Sequence, residues 1–280
     1  MKVLKSNGKL YLKLICFCII PMSIFSIGLI TTSCNSSNEN STRSITLTSG
    51  KTYEITGFDQ NFANTLCNGN SNTDLINFPT TEGELQINRI AITGISFKND
   101  ESLITIGDNF LYNFSSFNQP LLLPNSLILI GNNFMGECTR FNHPLTLPNS
   151  ITAIGSYFLL NCTSFNKRLT LSNSIISIDR NFLSYCESFN QTLTLPNTLT
   201  SINSQFLHYC TRFNQPLLIP SSITSIGGDF IASCTAFNNF IYCPGNSSRP
   251  DGWSTSGSFL YCRNPNAWDH ENVKWDQLPS

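Results

Sequence analysis

Histidine and cysteine are the residues of this 280-residue sequence that could serve as base and nucleophile. His208 lies two residues before Cys210, a spacing that could bring an imidazole to a thiol. Both residues belong to a repeating pattern, however, and no other copy of the pattern has a histidine at that position. No nucleophile elbow, phosphate-binding loop or metal-binding helix motif occurs in the sequence. We therefore predict a protein that is not an enzyme and that needs no cofactor.

The eleven cysteines separate by position. Cys16, Cys18 and Cys34 belong to the first 34 residues, and five others recur at one position of the repeat. We interpret these five as small buried apolar side chains rather than disulfides or metal ligands. The sequence has no Cys-x-x-Cys pair, so a structural zinc site has little support and no metal site is predicted. Cys243 and Cys262 could form a disulfide.

The repeating pattern has a constant period of 24 residues, and residues 101–244 contain six copies without an insertion. Two phenylalanine series, one isoleucine series and one cysteine series keep this spacing, and Phe114 replaces cysteine in the first copy. An asparagine follows every phenylalanine of the first series. The series are Phe117, Phe141, Phe165, Phe189, Phe213 and Phe237; Phe110, Phe134, Phe158, Phe182, Phe206 and Phe230; Ile106, Ile130, Ile154, Ile178, Ile202 and Ile226; and Cys138, Cys162, Cys186, Cys210 and Cys234.

Each copy predicts two short extended segments and one tight turn. In residues 141–162, the Leu145–Leu147 segment alternates apolar and polar residues, as a strand with one buried face does. A Pro-Asn-Ser turn follows it, and Ile151 to Ile154 forms the second extended segment. The segment from Phe158 to Cys162 is too short for a stable helix, so we expect one helical or 3-10 turn there.

A single copy buries too little apolar surface to order its own backbone, so the copies must stack on one another. The constant register then places identical side chains above one another, with strands about 4.8 Å apart. The predicted fold is a right-handed leucine-rich-repeat solenoid, rich in β-structure, with a parallel sheet built from the Leu-x-Leu strands. In such a stack the asparagines after each phenylalanine satisfy backbone groups of the turns. A sugar-binding row is the functional alternative for them.

The string CTRFNHPLTLPNSITAIGSYFLLNC, residues 138–162, resembles the BspA-like, or Treponema-type, leucine-rich repeat. The cysteine, Leu-Pro, Ile-Gly and phenylalanine positions all match. The sequence departs from the family pattern by one extra residue per copy, by Asp179 and Asn203 in place of glycine, and by Ser172 in place of proline. The resemblance implies a solenoid and adhesion to host matrix proteins, plasma proteins or other cells.

The first 33 residues have the features of a secretory signal peptide. Four lysines precede an apolar run from Leu14 to Ile30, and small residues lead to Cys34. The segment resembles a relaxed bacterial lipobox, and the asparagine-rich leader is similar to those of mycoplasma surface lipoproteins. The resemblance implies lipidation at Cys34 and anchoring to the outer face of the plasma membrane. An uncleaved transmembrane anchor or a plain secretory signal are the alternatives.

The remaining segments predict a tether and two caps. Residues 34–43 are wholly polar and predict a flexible tether. Residues 44–100 predict a cap over the first copy, beginning with a hairpin around Ser49 and Gly50. Residues 245–280 contain all three tryptophans (Trp253, Trp268 and Trp275) and predict the second cap, or alternatively an aromatic ligand platform.

The charge pattern excludes nucleic acid as a partner. Only 12% of the residues are charged, 34 are asparagine, and removal of residues 1–33 takes away four lysines and changes the net charge from −1 to −5. A nucleic-acid-binding protein needs a basic excess.

The most favoured function is non-enzymatic binding of an extracellular protein, either host matrix or cell surface, through the exposed side of the Leu-x-Leu strands. A structural or antigenic coat protein of variable repeat number, and a hydrolase or solute-binding lipoprotein, are the alternatives. A broad polar face suits protein contact better than a deep pocket does. The candidate binding face comprises Leu122, Thr146, Thr170, Thr194 and Leu218, with His143, Lys167, Gln191 and Gln215 in the neighbouring position.

Overall fold

A computed structural model describes residues 42–55, 66, 75–98, 103–243 and 273–275. The chain divides into two compact units, Met1–Ser37 and Asn38–Ser280, and every described residue belongs to the second. The predicted signal peptide, Cys34, Cys262, Trp253 and Trp268 lie outside the described residues.

The described part of the second unit begins with a five-stranded antiparallel sheet in the order β4-β3-β2-β1-β5. The predicted hairpin around Ser49 and Gly50 is confirmed, since β1 and β2 pair on either side of it. The sheet begins at Thr42, two residues inside the segment predicted as a tether. The elements are β1 (Thr42–Leu47), β2 (Thr52–Ile55), β3 (Leu75–Thr80), β4 (Gly83–Asn88), a 3-10 helix (Arg89–Ala91) and β5 (Ile92–Lys98).

Six coils of a β-solenoid follow this sheet, each contributing one or two very short strands. Every strand pairing between coils that the structure describes is parallel and keeps the 24-residue register. The strands are β6 (Thr105–Ile106), β7 (Leu129–Ile130), β8 (Leu145–Thr146), β9 (Ala153–Ile154), β10 (Leu169–Thr170), β11 (Ser177–Ile178), β12 (Ser201–Ile202), β13 (Leu217–Leu218), β14 (Ser225–Ile226), β15 (Ile241–Cys243) and β16 (Val273–Trp275).

The interior of the solenoid consists of stacked columns of identical side chains, as the constant period predicts. Phe141 and Phe165 have ring centroids 5.6 Å apart and nearly parallel planes. Phe158 and Phe182, in the other series, lie 5.2 Å apart. All four rings are fully buried. The leucine-rich-repeat stack predicted from the sequence is thus confirmed.

The longest sheet differs from the expected one. It is a six-stranded sheet built from the isoleucine segments, in the order β14-β12-β11-β9-β7-β6, whereas the Leu-x-Leu strands form separate sheets of two and three strands. Prolines such as Pro144 and Pro148 flank the Leu-x-Leu segment, and proline has no N–H to donate to a ladder. The isoleucine segments contain no proline, so their ladder continues through all six coils.

The turn after each isoleucine segment is not the expected helical or 3-10 turn. Tyr157, Leu159 and Asn161 have φ angles of 64°, 54° and 55°, so left-handed residues alternate with ordinary ones. Leu159 N–H donates to the Phe134 carbonyl of the preceding coil at 3.0 Å, and Asn161 N–H donates to the Ser184 carbonyl of the next coil at 2.8 Å. The alternation points these N–H groups at neighbouring coils, where a helical turn would satisfy them internally.

The antiparallel sheet covers the first coil. Phe97 of β5 lies 6.1 Å from Phe110 and so continues one phenylalanine column. Arg89 is 1% exposed, donates to the Leu66 carbonyl at 3.2 Å, and places its guanidinium 4.6 Å from the Phe114 ring. A cation beside an aromatic face is a favourable contact, which explains why phenylalanine replaces cysteine in the coil next to the cap. At the other end, β16 pairs in parallel with β15 and brings part of the second predicted cap into the Leu-x-Leu sheet.

Candidate binding faces

The outward positions of the Leu-x-Leu segments form a row that we call the threonine face. Leu145 and Leu147 are buried, and Thr146 between them is exposed, in agreement with the predicted alternation. Leu122 at one end is 77% exposed. Thr170 is half-buried and the other members are exposed. The face comprises Leu122, Thr146, Thr170, Thr194 and Leu218.

The neighbouring position is more closely tied to the scaffold than the sequence indicated. A ring nitrogen of His143 lies 3.1 Å from the Asn118 carbonyl oxygen. The side-chain amides of Gln191 and Gln215 donate to the Oδ1 atoms of Asn166 and Asn190 at 3.0 and 3.1 Å. Lys167 is exposed. Three of the four predicted binding residues at this position therefore use a polar group within the fold, and the threonine face is the freer of the two rows.

An asparagine column runs beside this row and fixes the turns. Its members are Asn118, Asn142, Asn166, Asn190, Asn214 and Asn238. Each Oδ1 atom accepts the backbone N–H of the next asparagine in the column, at distances between 2.8 and 3.0 Å. The prediction that these asparagines satisfy turn backbone groups is confirmed.

Replacing Asn166 by alanine removes one step of this column. Asn190 N–H and the Gln191 amide then lose their shared acceptor, and we expect the free energy of unfolding to fall by about 1–3 kcal/mol. Asn166→Asp keeps an oxygen acceptor and serves as the matched control, with a smaller expected loss. Urea unfolding followed by circular dichroism measures both. Equal midpoints for the alanine variant and the wild type would contradict this role.

The outward side of the six-stranded sheet is a second exposed row, which the sequence analysis missed. We call it the isoleucine face: Ile104, Ile128, Thr152, Ile176, Thr200 and Thr224. Ile176 is 55% exposed. The Thr200 and Thr224 hydroxyls donate to carbonyl oxygens of the preceding coil, at 3.2 and 3.1 Å. The signal was present in the Ile-x-Ile spacing of Ile104 and Ile106, where one of two alternating isoleucines must face outward.

His208 and Cys210 do not form a catalytic pair. The Cys210 thiol is buried and donates to the Leu183 carbonyl at 3.1 Å, and burial raises its pKa well above the ordinary value. The His208 ring instead packs edge-on against Tyr209 and Tyr185, with centroid distances of 4.5 and 5.6 Å. Burial lowers the pKa of His208, although Asp229 opposes this shift. The imidazole and the two phenol rings form an aromatic cluster on the turn side of the solenoid.

The five repeat cysteines form a buried column of free thiols, as predicted. Each Sγ lies 3.0–3.1 Å from a carbonyl oxygen 27 residues earlier in the chain, to which it donates. Within the part of the chain that the structure describes, no group of three or more His, Cys, Asp or Glu residues could hold a metal ion. The proposed pairing of Cys243 and Cys262 remains a prediction, since Cys262 lies outside the described residues.

Comparison with known families identifies the repeat. Residues 143–248 match the model of the BspA type leucine rich repeat region in six copies. These residues form a BspA-type leucine-rich repeat region. The first coil precedes the matched range, yet its phenylalanine stacks on the next coil in the same way, with Phe110 and Phe134 centroids 5.4 Å apart. The BspA-type register thus extends through all six coils.

Two solved structures are similar to the chain, and no curated protein matches it. A leucine-rich repeat protein from Bacteroides ovatus ATCC 8483 is 22% identical, with a TM-score of 0.44 and coverage of 54% of this chain and 43% of that one. A leucine rich cell surface protein from Faecalibacterium prausnitzii A2-165 is 20% identical, with a TM-score of 0.34 and coverage of 53% and 43%. The chain therefore spans less than half the length of either protein. Among the described residues, no helix is long and apolar enough to cross a membrane.

Proposed function

We propose that this protein is a non-enzymatic surface lipoprotein, anchored through lipid at Cys34, whose BspA-type repeats bind an extracellular protein of a host or a neighbouring cell. The observation that carries the proposal is the threonine face, an uncharged row of outward side chains held in register by the stacked coils. Leucine-rich repeats generally serve as protein-binding modules, which supports the assignment of this function to the repeat region.

The scaffold beneath the threonine face is rigid, and this favours binding of another folded surface. Leu145 and Leu169 pair directly in parallel strands, and the Leu147 N–H donates to the Thr170 carbonyl at 2.9 Å. A preorganised surface loses little conformational entropy when it binds. Because the threonine face carries no charge, a partner needs no compensating ions, and insertion of a charge should be strongly unfavourable.

Lysine at Thr146, Thr170 and Thr194 tests this proposal. The triple variant places three ammonium groups at the centre of the face, and we expect affinity for the partner to fall at least about tenfold, or 1.4 kcal/mol. The full chain is first screened against an array of purified matrix and plasma proteins. Retained proteins are then measured against wild type and variant by biolayer interferometry.

The isoleucine face provides a matched control. Thr152, Thr200 and Thr224 are exposed at equivalent positions of the other sheet, and the same three lysines there add the same charge. We expect this variant to bind as the wild type does. A folded Thr146/Thr170/Thr194 variant with undiminished binding would eliminate the threonine face. Retention of no protein from the array would instead favour the coat-protein alternative.

A further inference from the structure

Two stacked tyrosines distinguish one part of the turn side from the rest of the repeat. Tyr185 and Tyr209 have ring centroids 4.8 Å apart and planes 5° apart, and they are 38% and 41% exposed. They occupy the same position in adjacent coils. The other four coils have no aromatic residue there, but Asn113, Glu137, Asn161 and Ser233. The tyrosine pair is thus a local departure from the repeat rather than one of its core columns.

The outer faces of the two rings have only short neighbours in this column. Beside Tyr185, the Asn161 amide donates to Glu137 Oε2 of the preceding coil at 2.6 Å and so is directed away from the ring. Beside Tyr209, the next coil has Ser233, whose side chain is too short to cover a phenol ring. Both outer ring faces are therefore available for stacking.

The tyrosine pair is also held in place from the side. The His208 ring meets Tyr209 and Tyr185 edge-on, at interplanar angles of 86° and 85°. The backbone N–H groups of Tyr185 and Tyr209 donate to carbonyls of the following coils at 2.8 and 2.9 Å. An aromatic platform with a fixed orientation loses little entropy when a ligand stacks on it.

We infer that the tyrosine pair binds a β-1,4-linked glycan of glucose or N-acetylglucosamine. The C–H bonds of such pyranose rings point axially on both faces, and the negative face of an aromatic ring attracts these slightly positive hydrogens. Polar groups for the sugar hydroxyls lie nearby: exposed Glu187 and Arg212 follow the two tyrosines by two and three residues. Their coils are joined there, since Arg212 N–H donates to the Glu187 carbonyl at 3.2 Å. This site is separate from the threonine face and goes beyond protein binding.

Isothermal titration of the full chain with cellotetraose and chitotetraose tests the inference. We expect the wild type to bind at least one of the two. The Tyr185→Ala/Tyr209→Ala variant should lose at least tenfold in affinity, whereas Tyr185→Phe/Tyr209→Phe should stay within threefold of the wild type, because the stacking rings remain. Tyr157→Ala is the control for loss of a tyrosine, since the Tyr157 ring lies 5.2 Å from the Arg180 guanidinium, away from the pair.

Three outcomes would overturn the inference. They are the absence of heat with both oligosaccharides, equal affinity for the wild type and the double alanine variant, and an equal loss in Tyr157→Ala. A circular dichroism melt of each variant shows whether the fold is intact, and the double phenylalanine variant keeps the test valid if the alanine variant unfolds. The lysine variants of the threonine face should bind the oligosaccharides normally, so failure of either proposal can be recognised independently.

Discussion

Phe165→Ala should lower the free energy of unfolding by about 3–5 kcal/mol, a large share of the 5–15 kcal/mol typical of a folded domain. Phe165 is fully buried and stacks between Phe141 and Phe189, at 5.6 and 5.7 Å. Its removal leaves a cavity in the middle of a column, where rings on both sides lose contacts. Guanidinium unfolding of the full chain, followed by circular dichroism, measures the loss.

Two control variants separate the column from general effects of mutation. Phe165→Leu fills most of the cavity and should cost clearly less than Phe165→Ala. Leu122→Ala removes an apolar side chain that is 77% exposed, and should change the free energy of unfolding by no more than about 0.5 kcal/mol. If Phe165→Ala cost no more than Leu122→Ala, the phenylalanine column could not be what joins the coils.

A lower dependence of unfolding on denaturant would be a second signature of the Phe165→Ala cavity. In a stack where each coil contacts only its neighbours, stability is a sum of coil and interface contributions, so a weakened interface can separate the unfolding of the two halves. The slope is proportional to the surface exposed in one cooperative step. We therefore expect a broader transition for Phe165→Ala than for Phe165→Leu.

The columns could be predicted because they depend only on spacing. A period of 24 residues without insertions fixes which side chains lie above one another, whatever the local backbone does. The predicted neighbours Phe141 and Phe165 are stacked for that reason. The asparagine column follows from the same argument, since an amide after each phenylalanine meets the backbone of the next coil.

The turn conformation could not be predicted from the same pattern. Leu159 is buried with a φ of 54°, and a leucine is disfavoured in the left-handed region, so its identity gives no indication of that backbone. Hydrogen bonds to the preceding and following coils, which exist only after stacking, offset this cost. Asn109, Asn133 and Asn161 did carry a signal, because asparagine tolerates positive φ better than most residues.

The binding surfaces were predicted in part. The threonine face followed from alternation within one strand, and its members are exposed or half-buried as expected. The isoleucine face required knowledge of which segment forms the long sheet, and that depended on where proline interrupts hydrogen bonding. His208 was considered only beside Cys210, its neighbour in sequence. Its contact with Tyr185, on the preceding coil, becomes visible only when the coils are stacked.

The cysteine column should be almost unreactive in the folded protein. Cys138, Cys162, Cys186, Cys210 and Cys234 are fully buried, and burial raises the pKa of Cys138, Cys162, Cys186 and Cys210 above the ordinary thiol value. Alkylation requires both access and the thiolate form. We expect iodoacetamide to label these thiols at least about a thousandfold more slowly than free glutathione, which corresponds to an opening free energy of about 4 kcal/mol.

Mass spectrometric mapping of alkylated peptides tests this expectation for each cysteine. The native full chain and the chain in concentrated guanidinium chloride are treated in parallel, with glutathione as the internal reference. All five thiols should react rapidly only after unfolding, because each Sγ is enclosed beside the backbone of a neighbouring coil. Rapid labelling of Cys162 or Cys186 in the native chain would show that the central coils open readily, and the column would then not be a closed apolar interior.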